Sequence, residues 1–202
     1  MNAAIAAVSV MSVLIGCQKE VASVQDNPEK ARLEISVPMA KTKVTSEANE
    51  MAINNYQVFL FNDKGVLENY VNQQSSAISM ECTLGSKTVA VIVNAPAIRD
   101  ITTMAELKGK VSYLSDNTLE SFVMEGMVPV EIESTTSVSV EVPVSRKVAR
   151  IELLCLDVVF ELPQYRQQSF KVSSVYLINV PASMPYFAND VSSLWLNKSG
   201  YV

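Results

Sequence analysis

Residues 31–39 read ARLEISVPM, and in this stretch Leu33, Ile35, Val37 and Met39 alternate with Glu34, Ser36 and Pro38. Successive side chains of an extended chain point to opposite faces, so this spacing predicts a strand with one apolar and one polar face. The same period of two recurs where Val128, Val130 and Ile132 alternate with Pro129 and Glu131. It recurs again where Val138, Val140, Val142 and Val144 alternate with Ser139, Glu141 and Pro143. Tyr56 to Phe61 and Val89 to Val93 are apolar at almost every position, as expected of strands covered on both faces, and Val175 to Val180 repeats the pattern late in the chain. Asn62, Asp63, Lys64 and Gly65 form a turn signal after the second run, with glycine free to take positive φ. The one helical signal is Thr102 to Lys108, where threonines precede Met104, Ala105 and Leu107 and predict about two turns. Many short strands and one short helix give an all-β chain folded as an antiparallel β-sandwich.

Composition narrows what such a sandwich can do. Hydrophobic residues make up 49% of the 202 and charged residues 18%, enough to build a core. Sixteen basic against 21 acidic residues give a net charge of −5 with no basic stripe, which argues against nucleic acid as a partner. There is no histidine, so the usual general base, the commonest metal ligand and every imidazole triad are absent. The carboxylates of Glu125, Glu131, Glu133 and Glu141 are spread along strands without calcium-loop spacing. The sequence therefore predicts neither an enzyme nor a cofactor or metal site.

The first 16 residues are uncharged and rich in Ala, Val, Ile, Leu and Met, and they stop at Cys17, after which Gln18, Lys19 and Glu20 are polar. This run is shorter than the roughly 20 residues of a membrane-spanning helix, and Leu14, Ile15, Gly16 and Cys17 resemble a bacterial lipobox. A small residue before the cysteine admits the signal peptidase, and the Cys17 thiol carries the lipid. Residues 1–16 are thus expected to be a lipoprotein signal peptide, and residues 17–30 a flexible tether that anchors the fold to a membrane through lipid on Cys17.

Five segments behind that lipobox carry a resemblance: VFLFNDKG from Val58, GSKTVAVIVNAP from Gly85, FVMEGMVPV from Phe122, VPVSRKVARIEL from Val142 and FKVSSVYLINVP from Phe170. In this order they resemble the Bacteroidales fimbrillin family, the major and minor subunits of lipoprotein-derived type V pili. The resemblance implies Greek-key, transthyretin-like sandwiches: an N-terminal domain over 31–145 and, over 146–202, the beginning of a second sandwich domain that the chain does not complete. It also implies export through the periplasm to the outer membrane and the surface fimbrium. A trypsin-like protease there removes the first strand, and a strand of another fimbrial subunit fills the vacated groove. By position the removable strand maps onto residues 31–39 with Leu33, Ile35, Val37 and Met39 filling the groove, a gross burial of about 6–12 kcal/mol. The cut maps onto Lys41 or Lys43. Alternative readings are a lipid-anchored fimbrial anchor or assembly terminator that keeps its first strand, and an unrelated surface lipoprotein binding glycan or protein.

Two further features read structurally. Cys82 and Cys155 are expected to be separate buried thiols rather than a disulfide, and Arg146, Lys147 and Arg150 to be charges on a solvated strand face or sheet edge.

Overall fold

The computed structural model describes residues 29–38, 52–188 and 194–197; the signal segment, Cys17, Met39, Lys41 and Lys43 lie outside the described residues. Its strands are β1 (Lys30–Ser36), β2 (Tyr56–Asn62), β3 (Leu67–Gln73), β4 (Ile78–Thr83), β5 (Gly85–Val93), β6 (Val111–Tyr113), β7 (Met124–Ile132), β8 (Val138–Glu141), β9 (Ser145–Arg146), β10 (Val180–Pro181), β11 (Ser183–Pro185) and β12 (Trp195–Leu196). One helix, α1 (Met104–Gly109), lies between β5 and β6.

Among the described residues a five-stranded sheet runs β3-β2-β5-β7-β9 and a three-stranded sheet runs β4-β1-β8. The first is antiparallel throughout. In the second, β1 runs antiparallel to β4 and parallel to β8. Ala31, Leu33 and Ile35 from β1 and Ile78, Met80 and Cys82 from β4 pack against Val58, Leu60, Val89, Val91 and Val93 from the larger sheet, forming the interior of the sandwich.

The alternate side chains of β2 and β5 explain why those two runs are apolar on both faces. Phe59, Phe61, Ala90 and Ile92 point away from the sandwich interior into a second cluster with Ile98, Ile101, Leu107 and Tyr186. The central strands are therefore covered by the small sheet on one side and by the helix-bearing loop and a late segment on the other. Gln57 sits within this apolar run, fully buried, because its side chain has partners. Its amide donates to the carbonyls of Ala95 and Pro96, and its oxygen accepts from the backbone N–H of Ile98 and the hydroxyl of Tyr70.

The local signals fold as their chemistry dictates. At the β2–β3 turn the Asn62 side-chain oxygen accepts from the N–H groups of Lys64 and Val66, both at 3.0 Å, and Gly65 takes φ +71°. Thr103 caps α1 in a capping box with Glu106, one residue inside the expected start. The Asn-Ala-Pro corner after β5 puts Asn94 at φ +60°, held by an amide that donates to Ala52 and Phe122 and an oxygen that accepts from Asn54.

Beyond β9 the pattern differs from expectation. Residues 147–179 contain no strand, and the expected Val175–Val180 run pairs only at its end, where Val180 faces Leu196. A strand needs a ladder partner as well as alternation, and here backbone pairing reaches back only to Asn179, whose N–H donates to the carbonyl of Asn197 at 3.2 Å. Cys155 is exposed there while Cys82 is buried in the sandwich, so the two thiols are free, and the expectation that both are buried is corrected for Cys155. Residues 180–187 then return to the sandwich, with β11 pairing to β6 and Tyr186 buried against the back of the large sheet.

Candidate functional site

The alternation of residues 31–37 places β1 at the centre of the smaller sheet, and the resulting slot is the candidate site. On the β4 side the register runs from Lys30 opposite Thr83 to Ile35 opposite Ile78, and on the β8 side from Leu33 opposite Val138 to Ser36 opposite Glu141. Pairing to the second side continues past the strand: the N–H groups of Val142 and Val144 donate to the carbonyls of Ser36 and Pro38 at 2.9 and 3.0 Å. β4 and β8 meet only through β1 in this sheet. Without β1 each would present a row of unpaired backbone groups, so the slot is an apolar trough with two hydrogen-bonding walls.

The trough is filled from β1 by alternate side chains. Leu33 is wholly buried and Ile35 is 4% exposed. They contribute about 3–6 kcal/mol of gross burial. Val37 is half-buried beyond the end of the ladder, and Ala31, absent from the sequence-level list, is as buried as Ile35. Ala31 opposes Cys82, whose thiol lies 3.7 Å from the Ala31 carbonyl oxygen. Burial pushes the Cys82 thiol above its ordinary pKa, Glu68 adding to the rise and Lys87 opposing it, which keeps the group a neutral, packed thiol. Ala31 falls in the same period of two, but its single methyl gives a weak hydrophobic signal.

Outward side chains of β1 are polar. Lys30 Nζ lies 3.0 Å from Glu81, an exposed pair, and Arg32 Nε donates to Ser79 Oγ at 2.7 Å. Near the Lys30 end, Lys87 and Glu68 form an ion pair of 2.8 Å whose side chains are 4% and 17% exposed, and Lys87 also donates to Thr83. No group of three or more metal-ligating side chains is present among the described residues.

A second buried ion pair fastens the late segment. Lys147 Nζ lies 2.9 Å from Glu125, with both side chains about nine-tenths buried, and donates to the carbonyls of Pro185 and Ala188. The Glu125 carboxylate in turn accepts from the N–H of Phe187 at 3.0 Å. Burial raises the pKa of Glu125, against the lowering influence of Phe187 and Lys147. Arg146 stacks over the Phe122 ring at 4.6 Å, on the short edge strand β9. The expected solvated face is therefore corrected for Lys147, which is a buried partner; Arg150, paired with Glu152, is solvent-facing. Glu125 and Lys147 are 22 positions apart, and no local pattern links them.

A family model described as the major fimbrial subunit protein (FimA) matches residues 31–143. Among solved structures the chain is similar to the fimbrilin (FimA) of Porphyromonas gingivalis W83, at TM-score 0.63 and 14% identity over 82% of this chain and 54% of that one. It is also similar to a candidate cell adhesion protein from Bacteroides eggerthii DSM 20697, at TM-score 0.50 and 25% identity over 59% of this chain and 41% of that one. This chain spans about half the length of those structures. No curated protein matches it. With the matched span covering more than half of its residues and its all-β fold found again in a solved fimbrilin, this chain belongs to the FimA family of fimbrial subunit proteins.

Proposed function

We propose that the protein is a structural subunit of a cell-surface fimbria that supports adhesion, made as a lipoprotein through Cys17 and assembled by strand exchange. In this reading a trypsin-like protease cuts after Lys41 or Lys43, in the connection between β1 and β2. β1 then leaves, and the slot between β4 and β8 takes a strand from another fimbrial subunit. The observation that carries the reading is the position of β1: it is the middle strand of its sheet, bonded on both sides, with a lysine-bearing connection after it. A first strand at a sheet edge would leave no slot behind.

The test is the N-terminal mass of the protein recovered from sheared surface fibres. A chain beginning after Lys41 or Lys43 supports the reading. A chain beginning at acylated Cys17 overturns it in favour of an anchor that keeps β1. Cys17→Ser should abolish incorporation of labelled palmitate, and undiminished labelling would remove the lipoprotein step.

A further inference from the structure

Between β2 and β3 the register slips. Leu60 faces Asn69 and Phe61 faces Leu67, so Glu68 is the extra residue of a β-bulge. The slip changes which side chains share a face. Leu67 and Tyr70, three apart, both pack in the cluster behind the larger sheet, while the consecutive Glu68 and Asn69 both reach β4, which strict alternation forbids. The Glu68 carboxylate accepts from the N–H of Thr83, and the Asn69 amide donates to the carbonyl of Glu81 at 2.9 Å. Lys87 completes the cluster, 2.8 Å from Glu68 and donating to the Thr83 hydroxyl at 2.7 Å. At the other end of β4 the Gln73 amide donates to the carbonyls of Ser75 and Ala77.

These contacts tie β4 to the larger sheet without passing through β1. The opposite wall of the slot has no such tie. Among the described residues no hydrogen bond or ion pair joins residues 138–144 to the larger sheet, and the chain rejoins that sheet only at β9. Val142 and Val144 donate to β1, and their side chains meet the larger sheet through apolar packing.

We propose that Glu68, Asn69 and Lys87 are positioning residues that hold β4 as a standing wall of the emptied slot, so that an incoming strand seats on β4 first and β8 closes onto it last; this rests on the reading above that β1 departs. The walls stand two strand spacings apart, about 10 Å, and only β1 spans that gap. When it leaves, both walls lose a ladder. Directional bonds keep the free N–H and C=O groups of β4 in line for pairing, whereas a wall held by packing alone can shift to cover apolar side chains. A strand that meets an ordered wall is spared the entropy of ordering it.

The backbone of β1 distinguishes the two walls. The carbonyls of Ser36 and Pro38 accept from Val142 and Val144. Backbone groups of successive strand residues alternate sides, so Glu34 and Ser36 face β8 while Leu33 and Ile35 face β4. The full chain carrying Cys17→Ser, with an engineered protease site between Lys41 and Lys43, is cut. Labelled peptides of residues 30–38, unmodified or N-methylated at one of those four residues, are then exchanged into the slot. Chase gives koff, competition gives relative Kd, and the two together give relative kon. N-methylation at Leu33 or Ile35 should lower kon by about tenfold or more, and at Glu34 or Ser36 it should raise koff by about tenfold or more while kon stays within about threefold. With the unmodified peptide, Asn69→Ala, and separately the joint change Glu68→Gln with Lys87→Met, should lower kon by about threefold or more, whereas Leu107→Ala in the cluster behind the larger sheet should leave it unchanged. Equal losses of kon from the two pairs of methylated peptides, or a larger loss from Glu34 and Ser36, overturn the proposal while the departure of β1 stands. An unchanged kon in Asn69→Ala does the same. If no peptide enters the cut chain, both readings fall together.

Discussion

Replacing Lys147 with methionine tests whether the late segment is held by one buried ion pair. The substitution keeps an unbranched apolar stem of similar length and removes the ammonium. The Glu125 carboxylate, 12% exposed at its side chain, would keep the Phe187 N–H but lose its counter-charge. Stranding one partner of a buried pair costs about 3–5 kcal/mol, which in a chain of this size lowers Tm by about 6–20 °C. The exposed Arg150–Glu152 pair provides the scale for comparison, since Arg150→Met should cost under about 1 kcal/mol. The pH dependence has a definite sign. Burial raises the folded-state pKa of Glu125, so its contribution to stability is fully present below the unfolded carboxylate pKa and is lost as pH rises through the folded value. Lys147→Met removes an influence that lowers that pKa, so the deficit should be largest near neutrality and shrink on acidification. Glu125→Gln should remove this part of the pH dependence. Thermal unfolding of the three variants between pH 4 and pH 8, with hydrogen exchange of the Phe187 amide, measures it. A Lys147→Met deficit no larger than that of Arg150→Met, or one that grows toward acid, would refute the reasoning.

Three further outcomes are expected. Leu33→Ala should lose about 2–5 kcal/mol in urea unfolding while the outward Glu34→Ala stays within about 0.5 kcal/mol, and equal losses would deny that β1 has one buried face. Gly126→Ala should be strongly destabilising, because a Cβ there would sit 2.2 Å from the Pro143 carbonyl oxygen, whereas one at Gly109 meets nothing within 4 Å; similar melting temperatures for Gly126→Ala and Gly109→Ala would contradict the close approach of β7 to Pro143. Burial pushes the Tyr186 phenol up to about 12, so the absorbance change that Tyr186→Phe abolishes should appear only near that pH, and one near pH 10 would mean that Tyr186 is solvent-facing.

The strands that build the slot were legible because alternation and burial are one phenomenon seen along the chain and across it. Leu33 and Ile35 are buried where the period of two puts them, and β2 and β5 are apolar at nearly every position because they have two covered faces. The helix start and the Asn62–Gly65 turn were legible because their hydrogen bonds close within five residues. What stayed hidden depends on pairing across long sequence separations. Gln57 interrupts an apolar run and gives no local hint that it holds the loop at Ala95–Ile98. Lys147 reads as one member of a basic cluster until Glu125 is seen beneath it. The parallel pairing of β1 with β8 was equally invisible, since it joins residues more than 100 positions apart.

In the strand exchange proposed above, the central placement of β1 makes timing part of assembly. A sandwich that has lost this strand before its replacement arrives exposes not one sheet edge but two, both facing an apolar trough. Such edges template the addition of any extended chain, including unfolded protein and other emptied copies in disordered stacks. In that reading the interval between cleavage and refilling is a hazard. A cut that severs the connection while leaving β1 seated would shorten that interval, because the old strand would leave only as the new one zips in alongside it.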